Sequence, residues 1–223
     1  MISVAIDGPA GAGKSSISRI AAKKLGFIYV DTGALYRAVG LKFALSGADT
    51  SLNCDIDGIL SKTAVDIRFV NGEQRVFLDG EDVSDKIRTP KASMMASAVS
   101  ARPQVRAFLL EMQRKLAREN NVIMDGRDIG TVVLPDADVK IYLTASAEIR
   151  AERRLKELLE KGQQVTYDEV YRDMVKRDYD DMHREIAPLK KAEDAVTADT
   201  GALDFDKSVE LILEIVKRET EKQ

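Results

Sequence analysis

The sequence predicts an α/β protein in which helices cover both faces of a parallel sheet. Short apolar runs alternate along the chain with segments of helical periodicity, which is typical of strands that are buried on both faces. Two segments interrupt this alternation, residues 64–83 and residues 147–185, and each is expected to be an addition to the sheet core. At 223 residues the chain has the length of one sizeable domain with small insertions.

The first two strands, and the helices that follow them, are predicted near the N-terminus. The apolar run ISVAI ends at Asp-Gly-Pro and is the first strand. A helix is expected from Lys14 to a stop at Gly26, because apolar side chains recur on one face; these are Ile17, Ile20, Ala21 and Leu25. Residues 27–30 are the second strand, and the next helix is expected to be capped by Asp31 or Thr32.

Residues 64–83 are predicted to form a β-hairpin. They read AVDIRFV-NGE-QRVFLDGEDV, in which two runs of period two are joined by an Asn-Gly turn. An antiparallel hairpin within a parallel α/β chain indicates an insertion. Residues 147–185 are rich in Arg, Glu and Asp and lack a broad apolar face, so we expect these helices at the margin of the core, where they can move.

The other strands of the sheet are predicted in the second half of the chain. Apolar runs at residues 122–124 and 139–144 are flanked by helical segments, the first of which is expected to start at Pro103. Residues 195–198 are a further candidate strand, and a last amphipathic helix is predicted from apolar residues on one face, namely Val209, Leu213 and Val216.

The composition argues against several classes of protein. The chain holds 34 Lys and Arg against 37 Asp and Glu, a net charge of -3, so no positive excess predicts binding to nucleic acid or to a membrane. No apolar run is long enough to span a bilayer and no signal peptide is visible, so we expect a cytoplasmic enzyme or switch. We further expect small-molecule partners and a monomer. Cys54 is the one cysteine and is interpreted as a spare thiol.

Residues 8–16 read GPAGAGKSS and match the pattern G-x-x-x-x-G-K-[ST]. The glycines permit a tight turn whose N–H groups face an anion, Lys14 is placed to reach the β- and γ-phosphates, and the Ser15 hydroxyl is placed to bind Mg²⁺. The pattern follows an apolar strand and opens a helix, which distinguishes it from a chance glycine-rich turn. We expect a nucleoside triphosphate to be bound by Gly8, Pro9, Ala10, Gly11, Ala12, Gly13, Lys14, Ser15 and Ser16.

A triphosphate site is compatible with three classes of protein, namely a switch, a motor and a kinase. A GTPase switch should carry an N-K-x-D tetrapeptide, which this sequence lacks, and a motor ATPase would normally be longer. A small-molecule kinase needs a second anion site that faces the first. The candidates for that site are Arg37, Arg106, Arg127 and a helix stripe that starts with Val170 and Met174 and continues with Arg177, Asp181 and Arg184.

Each of these arginines has a simpler interpretation as a solvated charge. An exposed ion pair is worth less than about 1 kcal/mol, and Arg177 with Asp181 can be an ordinary i, i+4 pair. Arg150, Arg153 and Arg154 share another helix face and are candidates to close over the triphosphate. Solvated helix charges are again the alternative.

The combination of motifs resembles bacterial cytidylate kinase, a family of nucleoside monophosphate kinases. The segments that carry the resemblance are IDGPAGAGKSS, DTGALYRA, RPQVR, DGRDIGTVVLPDADVKIYL, R-D-x-x-D-x-x-R and APL, in this order across essentially the whole chain. The phosphate loop is shared by a superfamily, whereas DGRDIGTVVLPDA is far more specific.

The resemblance implies a three-layer P-loop kinase fold with a parallel core sheet, an inserted antiparallel hairpin subdomain and a short helical lid. A single domain, residues 1–223, would comprise a core at about 1–30, 104–146 and 186–223, a monophosphate-binding insertion at about 31–103 and a lid at about 147–185. The implied reaction moves the γ-phosphoryl group of ATP to CMP or dCMP with Mg²⁺ as cofactor. A UMP/CMP kinase or another monophosphate kinase is the alternative, and a nucleotide-dependent switch is the alternative from another class.

The resemblance also implies roles for individual residues. The CMP phosphate would be held by Arg37, Arg127 and Arg184, with Thr32 where the family often has Ser. Cytosine would be read by Ser97, Arg106 and Asp128, and the ribose would be held by Arg177 and Asp181. The donor phosphates would be covered by Arg153 and Arg154. The residues expected to act in catalysis are Lys14, Arg127, Arg153 and Arg184.

The implied base readers agree with the hydrogen-bonding groups of cytosine. A carboxylate such as Asp128 accepts from the exocyclic amino group, and an arginine donates to N3 and O2. Uracil would place a carbonyl against Asp128 and leave buried polar groups unpaired. Asp125 directly follows a strand and is a candidate second-shell partner of Mg²⁺, with a structural acceptor for loop amides as the alternative. No role is assigned to His183.

Overall fold

The computed structural model describes residues 1–222, apart from the side chain of Pro90. The elements of the N-terminal half are β1 (Ser3–Asp7), α1 (Lys14–Leu25), β2 (Ile28–Asp31), α2 (Thr32–Leu45), α3 (Ile56–Leu60), β3 (Val65–Val70), β4 (Glu73–Leu78), β5 (Glu81–Asp82) and α4 (Pro90–Ser100). Those of the C-terminal half are α5 (Pro103–Glu119), β6 (Val122–Gly126), a π-helical turn (Ile129–Val133), β7 (Val139–Thr144), α6 (Ala147–Glu160), α7 (Tyr167–His183), β8 (Val196–Asp199) and α8 (Phe205–Thr220).

The core is a five-stranded sheet in the order β2-β6-β1-β7-β8, and every neighbouring pair is parallel. The central strand β1 pairs with β6 through Ile6 and Asp125, and with β7 through Asp7 and Tyr142. Asp31 lies beside Asp125 at the end of β2. The carboxyl ends of three strands therefore place three aspartates at one edge of the sheet, which is where open α/β sheets bind their ligands.

Helices cover both faces of this sheet, so the predicted three-layer α/β fold is confirmed. Residues of β1 alternate between two hydrophobic clusters: Val4 and Ile6 pack with α1 and α8, whereas Ala5 packs on the other side. The second cluster contains Ala117 of α5 and Ile129 of the π-helical turn. Within residues 1–222 no helix is long and apolar enough to cross a membrane.

The helix ends follow the predicted signals. Gly13 and Gly26 flank α1 with left-handed backbone, at φ 87° and φ 70°. Gly13 provides no capping side chain, so the first N–H groups of α1 stay open toward the phosphate loop. Of the two predicted caps of α2, the structure selects Asp31, whose carboxylate accepts from the Ala34 N–H at 3.0 Å, while Thr32 is the first residue of the helix.

The predicted hairpin is confirmed and belongs to a separate antiparallel sheet, β3-β4-β5. Asn71 and Gly72 form its turn with φ angles of 53° and 78°, as a type I′ turn requires. The hairpin packs with α2, α4 and the first half of α5, which contributes Val105 and Leu109. Residues 31–103 therefore share one hydrophobic cluster with a helix that the sequence assigned to the main core.

The Gln74 side chain joins the hairpin to the main sheet by hydrogen bonds. The Gln74 amide accepts from the Asp31 N–H at 2.7 Å and donates to the Asp31 carbonyl at 3.3 Å. Because Asp31 ends β2, this pair of bonds fixes the hairpin beside the carboxyl edge of the parallel sheet.

The helices α6 and α7 form a helical hairpin with a small apolar cluster of its own. That cluster contains Ala151, Leu158, Val170 and Met174, with Ala10 packed against it. A capping box begins α7, in which Thr166 and Glu169 satisfy each other's backbone N–H groups.

Candidate active site

The phosphate loop requires glycine at its first position. Gly8 has a φ of 152°, and a Cβ atom there would lie 2.0 Å from the carbonyl oxygen of Leu143. Gly11 and Gly13 also have positive φ angles, of 71° and 87°. The loop between β1 and α1 therefore has the tight backbone that an anion-binding turn needs.

The side chain of Lys14 is hydrogen-bonded to the backbone of this loop. Its Nζ donates to the carbonyl oxygens of Gly8 and Pro9, each at 2.7 Å, and the side chain is buried. Burial lowers the pKa of Lys14 well below its usual range, and the guanidinium of Arg127 lowers it further. Lys14 of the phosphate loop and Arg127 at the end of β6 therefore lie in one electrostatic environment.

Ser15 and Asp125 form the oxygen-rich part of the site. The Ser15 hydroxyl donates to Asp125 at 2.8 Å, and the Tyr29 hydroxyl donates to the same carboxylate at 3.2 Å. Burial, followed by the nearby charge of Asp31, raises the pKa of Asp125 to about 7.

These oxygen ligands are of the type that Mg²⁺ prefers. Within residues 1–222 no three His, Cys, Asp or Glu side chains are grouped to hold a metal ion. At triphosphate sites Mg²⁺ is bound by few protein side chains together with substrate phosphates and water, and the Ser15 hydroxyl beside Asp125 fits such a site.

Asp128 lies between two arginines. Arg106 of α5 forms an ion pair with one carboxylate oxygen, and Arg184 donates to the other at 3.1 Å. Burial raises the pKa of Asp128 even though both arginines oppose this shift. Tyr36 completes the cluster, with the Arg106 guanidinium 5.6 Å from the centre of its ring.

Arg127, one residue before Asp128, is directed to α7 instead. Its Nε donates to Asp181 at 2.8 Å, and Arg184 lies 4.0 Å from the other oxygen of Asp181. Burial lowers the pKa of Arg127, but three nearby carboxylates together outweigh it and raise the pKa; these are Asp181, Asp178 and Asp125. Arg177 forms no hydrogen bond or ion pair with another residue of the range 1–222, so the alternative of an ordinary i, i+4 ion pair with Asp181 is not found there, although the charge of Asp181 acts on Arg177.

The predicted helix stripe requires a correction. The buried residues of α7 are Val170, Met174, Asp178 and Asp181. Asp178, which the predicted stripe did not contain, is thus one of the buried residues of this helix, whereas Arg177 is exposed. The helix ends at His183, so Arg184 acts from the turn that follows, where its Nε donates to the Ala187 carbonyl at 2.7 Å.

The remaining predicted acceptor residues lie around α2 and α4. Arg37 forms an ion pair with Asp31 at 2.7 Å, and its buried Nε has no protein partner among the described residues. The buried Thr32 hydroxyl donates to the Asp125 carbonyl at 2.8 Å. Ser97 is half-buried on α4.

The three lid arginines, expected to share one helix face, have different environments. Arg150 is buried against the phosphate loop, where it donates to the Ala10 carbonyl at 2.7 Å. Arg153 donates to the Thr200 carbonyl at 2.7 Å and so contacts the loop between β8 and α8. Arg154 is paired with Glu157 at 2.6 Å on the surface.

The sequence interpretation missed three side chains of the site: Asp7, Tyr36 and Asp178. Asp7 accepts from the N–H groups of Ile129 and Gly130, each at 2.8 Å, and thus holds the segment that follows Asp128. Asp178 and Tyr36 could have been found, because they lie in the motifs R-D-x-x-D-x-x-R and DTGALYRA. Asp7 lies in the motif IDGPAGAGKSS, but nothing near it in the sequence indicates its partners.

The fold and the site define a class of protein. A G-x-x-x-x-G-K-S loop between the first strand and first helix of a parallel sheet, with an arginine-rich cluster at the same sheet edge, is the arrangement of the P-loop kinases. Residues 4–218 match the family described as Cytidylate kinase. The chain belongs to the cytidylate kinase family.

Individual relatives agree with this assignment. The chain is 51% identical over 220 residues to the cytidylate kinase of Carboxydothermus hydrogenoformans, and the match covers 98% of both chains. It is 52% identical over 214 residues to that of Caldicellulosiruptor bescii, covering 96% of this chain and 95% of the relative. The fold is similar to the crystal structure of an uncharacterized protein from Eubacterium ventriosum, with a TM-score of 0.54, 12% identity, and coverage of 97% and 99%.

Proposed function

We propose that this protein transfers the γ-phosphoryl group of ATP to CMP or dCMP, giving ADP and CDP or dCDP. The observation that carries the proposal is the buried position of Asp128 between Arg106 and Arg184, at the same sheet edge as the phosphate loop. Membership of the cytidylate kinase family supports the same reaction. We place this reaction in the cytoplasm, where both nucleotides occur.

The donor would bind at the phosphate loop. The loop N–H groups and the open N-terminus of α1 would hold the β-phosphate, and Lys14 would exchange its bonds to Gly8 and Pro9 for phosphate oxygens. Mg²⁺, when bound, would reduce the negative charge of the donor phosphates. Ser15 would hold that ion directly, and Asp125 would orient Ser15 or a water ligand.

The acceptor would bind across the strand ends. Its phosphate would be held by Arg37, Arg127 and Arg184, close to Thr32. The unpartnered Nε of Arg37 supports this role, because a buried donor without a partner calls for a ligand. Arg177 forms no hydrogen bond or ion pair among the described residues, but it lies close enough to Asp181 to feel its charge, and the two would hold the ribose together.

The base would be read by Asp128, Arg106 and Ser97. A carboxylate accepts from the amino group of cytosine, whereas uracil would present a carbonyl oxygen to Asp128 and place one acceptor against another. The ring of Tyr36 lies beside Arg106 and offers an apolar wall to the same space.

Transfer itself would need no general base and no covalent intermediate. The attacking oxygen belongs to a phosphate anion, so the chain's task is to align two anions and to stabilise charge as the bond to the β-phosphate breaks. Lys14, Arg127 and Arg184 would supply that positive charge. Arg153 and Arg154 would join them if α6 moves, since Arg153 contacts the β8–α8 loop in this structure.

We further propose that the segments have separate functions, with residues 31–103 as the acceptor insertion and residues 147–185 as a lid that excludes water. The remaining residues would form the core. The helical hairpin α6–α7 has its own apolar cluster, which suits a unit that moves as one body.

A panel of acceptors tests the proposed reaction. ADP release is measured with ATP and Mg²⁺ alone, and then with CMP, dCMP, UMP, AMP or GMP added. We expect release to be stimulated most strongly by CMP and dCMP. No stimulation by any monophosphate would contradict a kinase and favour a nucleotide-dependent switch, while preference for UMP would contradict the assigned base readers.

A further inference from the structure

Ala10 of the phosphate loop is held through both of its backbone groups by the helical hairpin α6–α7. Its N–H donates to Asp178 of α7 at 2.8 Å, and its carbonyl accepts from Arg150 of α6 at 2.7 Å. These bonds join positions 168 and 140 residues apart in the sequence. The loop that would bind the donor is therefore attached directly to the proposed lid.

Arg150 and Asp178 are also bonded to each other. Their side chains form an ion pair at 2.5 Å, and both residues are less than a tenth exposed. The Nε of Arg150 donates to the Ala145 carbonyl at 2.9 Å, just beyond β7, so Arg150 is fixed to the main sheet as well. A buried ion pair gives little net stability compared with apolar residues, which favours a role in fixing one arrangement.

Asp178 lies on the α7 face that also reaches the acceptor cluster. Met174, one turn earlier, lies against the phosphate loop, because a Cβ atom at Gly11 would be 3.1 Å from its Cε. Asp181, three residues later, accepts from Arg127 at 2.8 Å. One helix face therefore contacts the phosphate loop at one end and the arginine cluster at the other.

We propose that Asp178 is a positioning residue that couples the donor site to the acceptor site through α7. A shift of Ala10 when a triphosphate enters the loop would be transmitted by Asp178 to α7, and by Asp181 to Arg127. This inference rests on the proposed function for the identity of the two ligands. Coupling of this kind is reciprocal, so CMP must strengthen triphosphate binding by the same factor.

The coupling factor is measured by calorimetry on the full chain. The dissociation constant of CMP is determined without and with a saturating non-hydrolysable ATP analogue and Mg²⁺, and the reverse titration is then performed. For the wild-type protein we expect each ligand to tighten the other about fivefold or more. In Asp178→Ala this factor should fall to one while each ligand alone still binds.

Two further variants separate coupling from folding. Asp178→Asn keeps an acceptor for the Ala10 N–H and should restore part of the coupling. If Asp178→Ala fails to fold because Arg150 is left unpaired, the double variant Arg150→Met with Asp178→Asn removes that charge, and it should fold without wild-type coupling. The matched control is Asp180→Ala on the exposed side of the same helix, where Asp180 forms a surface ion pair with Lys176.

The outcomes distinguish this inference from the function on which it rests. A wild-type protein that binds no nucleoside monophosphate would contradict the proposed function. A wild-type protein that binds both nucleotides independently would overturn the coupling role, and so would Asp178→Ala with an unchanged coupling factor. A loss of coupling in Asp180→Ala as large as that in Asp178→Ala would overturn it too.

Discussion

Arg127 and Asp181 are joined by a hydrogen bond of 2.8 Å although 54 positions separate them in the sequence. This bond connects the end of β6 to α7, and both side chains are largely buried. Burial opposes the charge on both groups. The attraction of Asp181 helps to raise the pKa of Arg127 in spite of burial, and Arg127, together with Arg177 and Arg184, lowers the pKa of Asp181. The pair therefore keeps both groups charged at the place where a phosphate anion is proposed to bind.

Asp181→Asn should destabilise the protein by about 3 kcal/mol at neutral pH, because removing one partner leaves the buried Arg127 uncompensated. The pKa of Asp181 is lowered on folding, so its contribution is present above the unfolded pKa near 4 and is lost as pH falls through the folded pKa. Urea unfolding at several pH values should thus show the largest difference at pH 7. Asp180→Asn, at an exposed surface pair, should cost less than about 1 kcal/mol. Equal costs for the two variants would contradict the prediction.

Asp128→Asn should reduce kcat/KM for CMP by about tenfold or more, because a charged hydrogen-bond partner of Arg106 and Arg184 is lost. The dissociation constant of ATP should change little, since Asp128 is not part of the phosphate loop. Steady-state kinetics with CMP and UMP, together with a direct ATP-binding assay, separate the two effects. The matched control is Asp136→Asn, at an exposed position of the same segment. An equal loss of CMP use and ATP binding would remove Asp128 from the acceptor site.

Lys14→Ala should lower kcat with every acceptor by about a hundredfold or more, because a charge aimed at the transferred phosphate disappears. The affinity for CMP alone should be retained. Lys23→Ala removes an exposed lysine from the same helix and should have no comparable effect. Single-turnover measurements provide the test, and a Lys14→Ala defect confined to one acceptor would contradict it.

Ser15→Ala should raise the Mg²⁺ concentration needed for half-maximal turnover by about tenfold or more, because the one hydroxyl placed to bind the ion is removed. Ser15→Thr keeps the hydroxyl and should restore the Mg²⁺ dependence. Removal of Mg²⁺ by a chelator should abolish turnover in the wild-type protein. A Ser15→Ala variant with a wild-type Mg²⁺ profile would exclude Ser15 as a ligand.

The parts of the fold that the sequence predicts correctly are those that depend on residues close to one another in the sequence. The turns require a left-handed backbone at three positions, and each of these holds a residue that adopts it readily, namely Gly13, Asn71 and Gly72. The partners of Asp7 and Asp178 depend instead on segments 122 and 168 residues away, which no local pattern reports. A helix periodicity likewise indicates which residues share a face, but not what that face meets. Arg150 and Arg153 accordingly have different partners despite their predicted common face.

The glycines at the end of β6 and in the π-helical turn illustrate the same limit. Neither Gly126 nor Gly130 has a positive φ angle, so a left-handed backbone is not the reason for glycine at these positions. At Gly126 the constraint is space, because a Cβ atom there would lie 2.6 Å from Ile129 Cδ1. Gly130 instead donates its N–H to Asp7. Close approach of this kind is a property of the packed chain and leaves no local signal.

Asp7 should give activity and stability opposite pH dependences. Burial raises the pKa of Asp7 to about 6, so above that pH its carboxylate accepts from both Ile129 and Gly130, while below it one oxygen is protonated. Asp7→Asn cannot accept both bonds at any pH.

The ratio of wild-type to Asp7→Asn kcat/KM for CMP should therefore be largest above pH 7 and fall toward one as pH drops through about 6. Titration of the CMP phosphate itself, which also occurs near pH 6, cancels in this ratio.

The stability of the wild-type protein relative to Asp7→Asn should instead decrease as pH rises. A folded pKa raised above the unfolded value means that the folded state holds the proton, so this contribution is lost as pH rises from about 4 to about 6. Urea unfolding and kinetics over the same pH range test both signs, and a pH-independent ratio would show that Asp7 does not position the Asp128 segment.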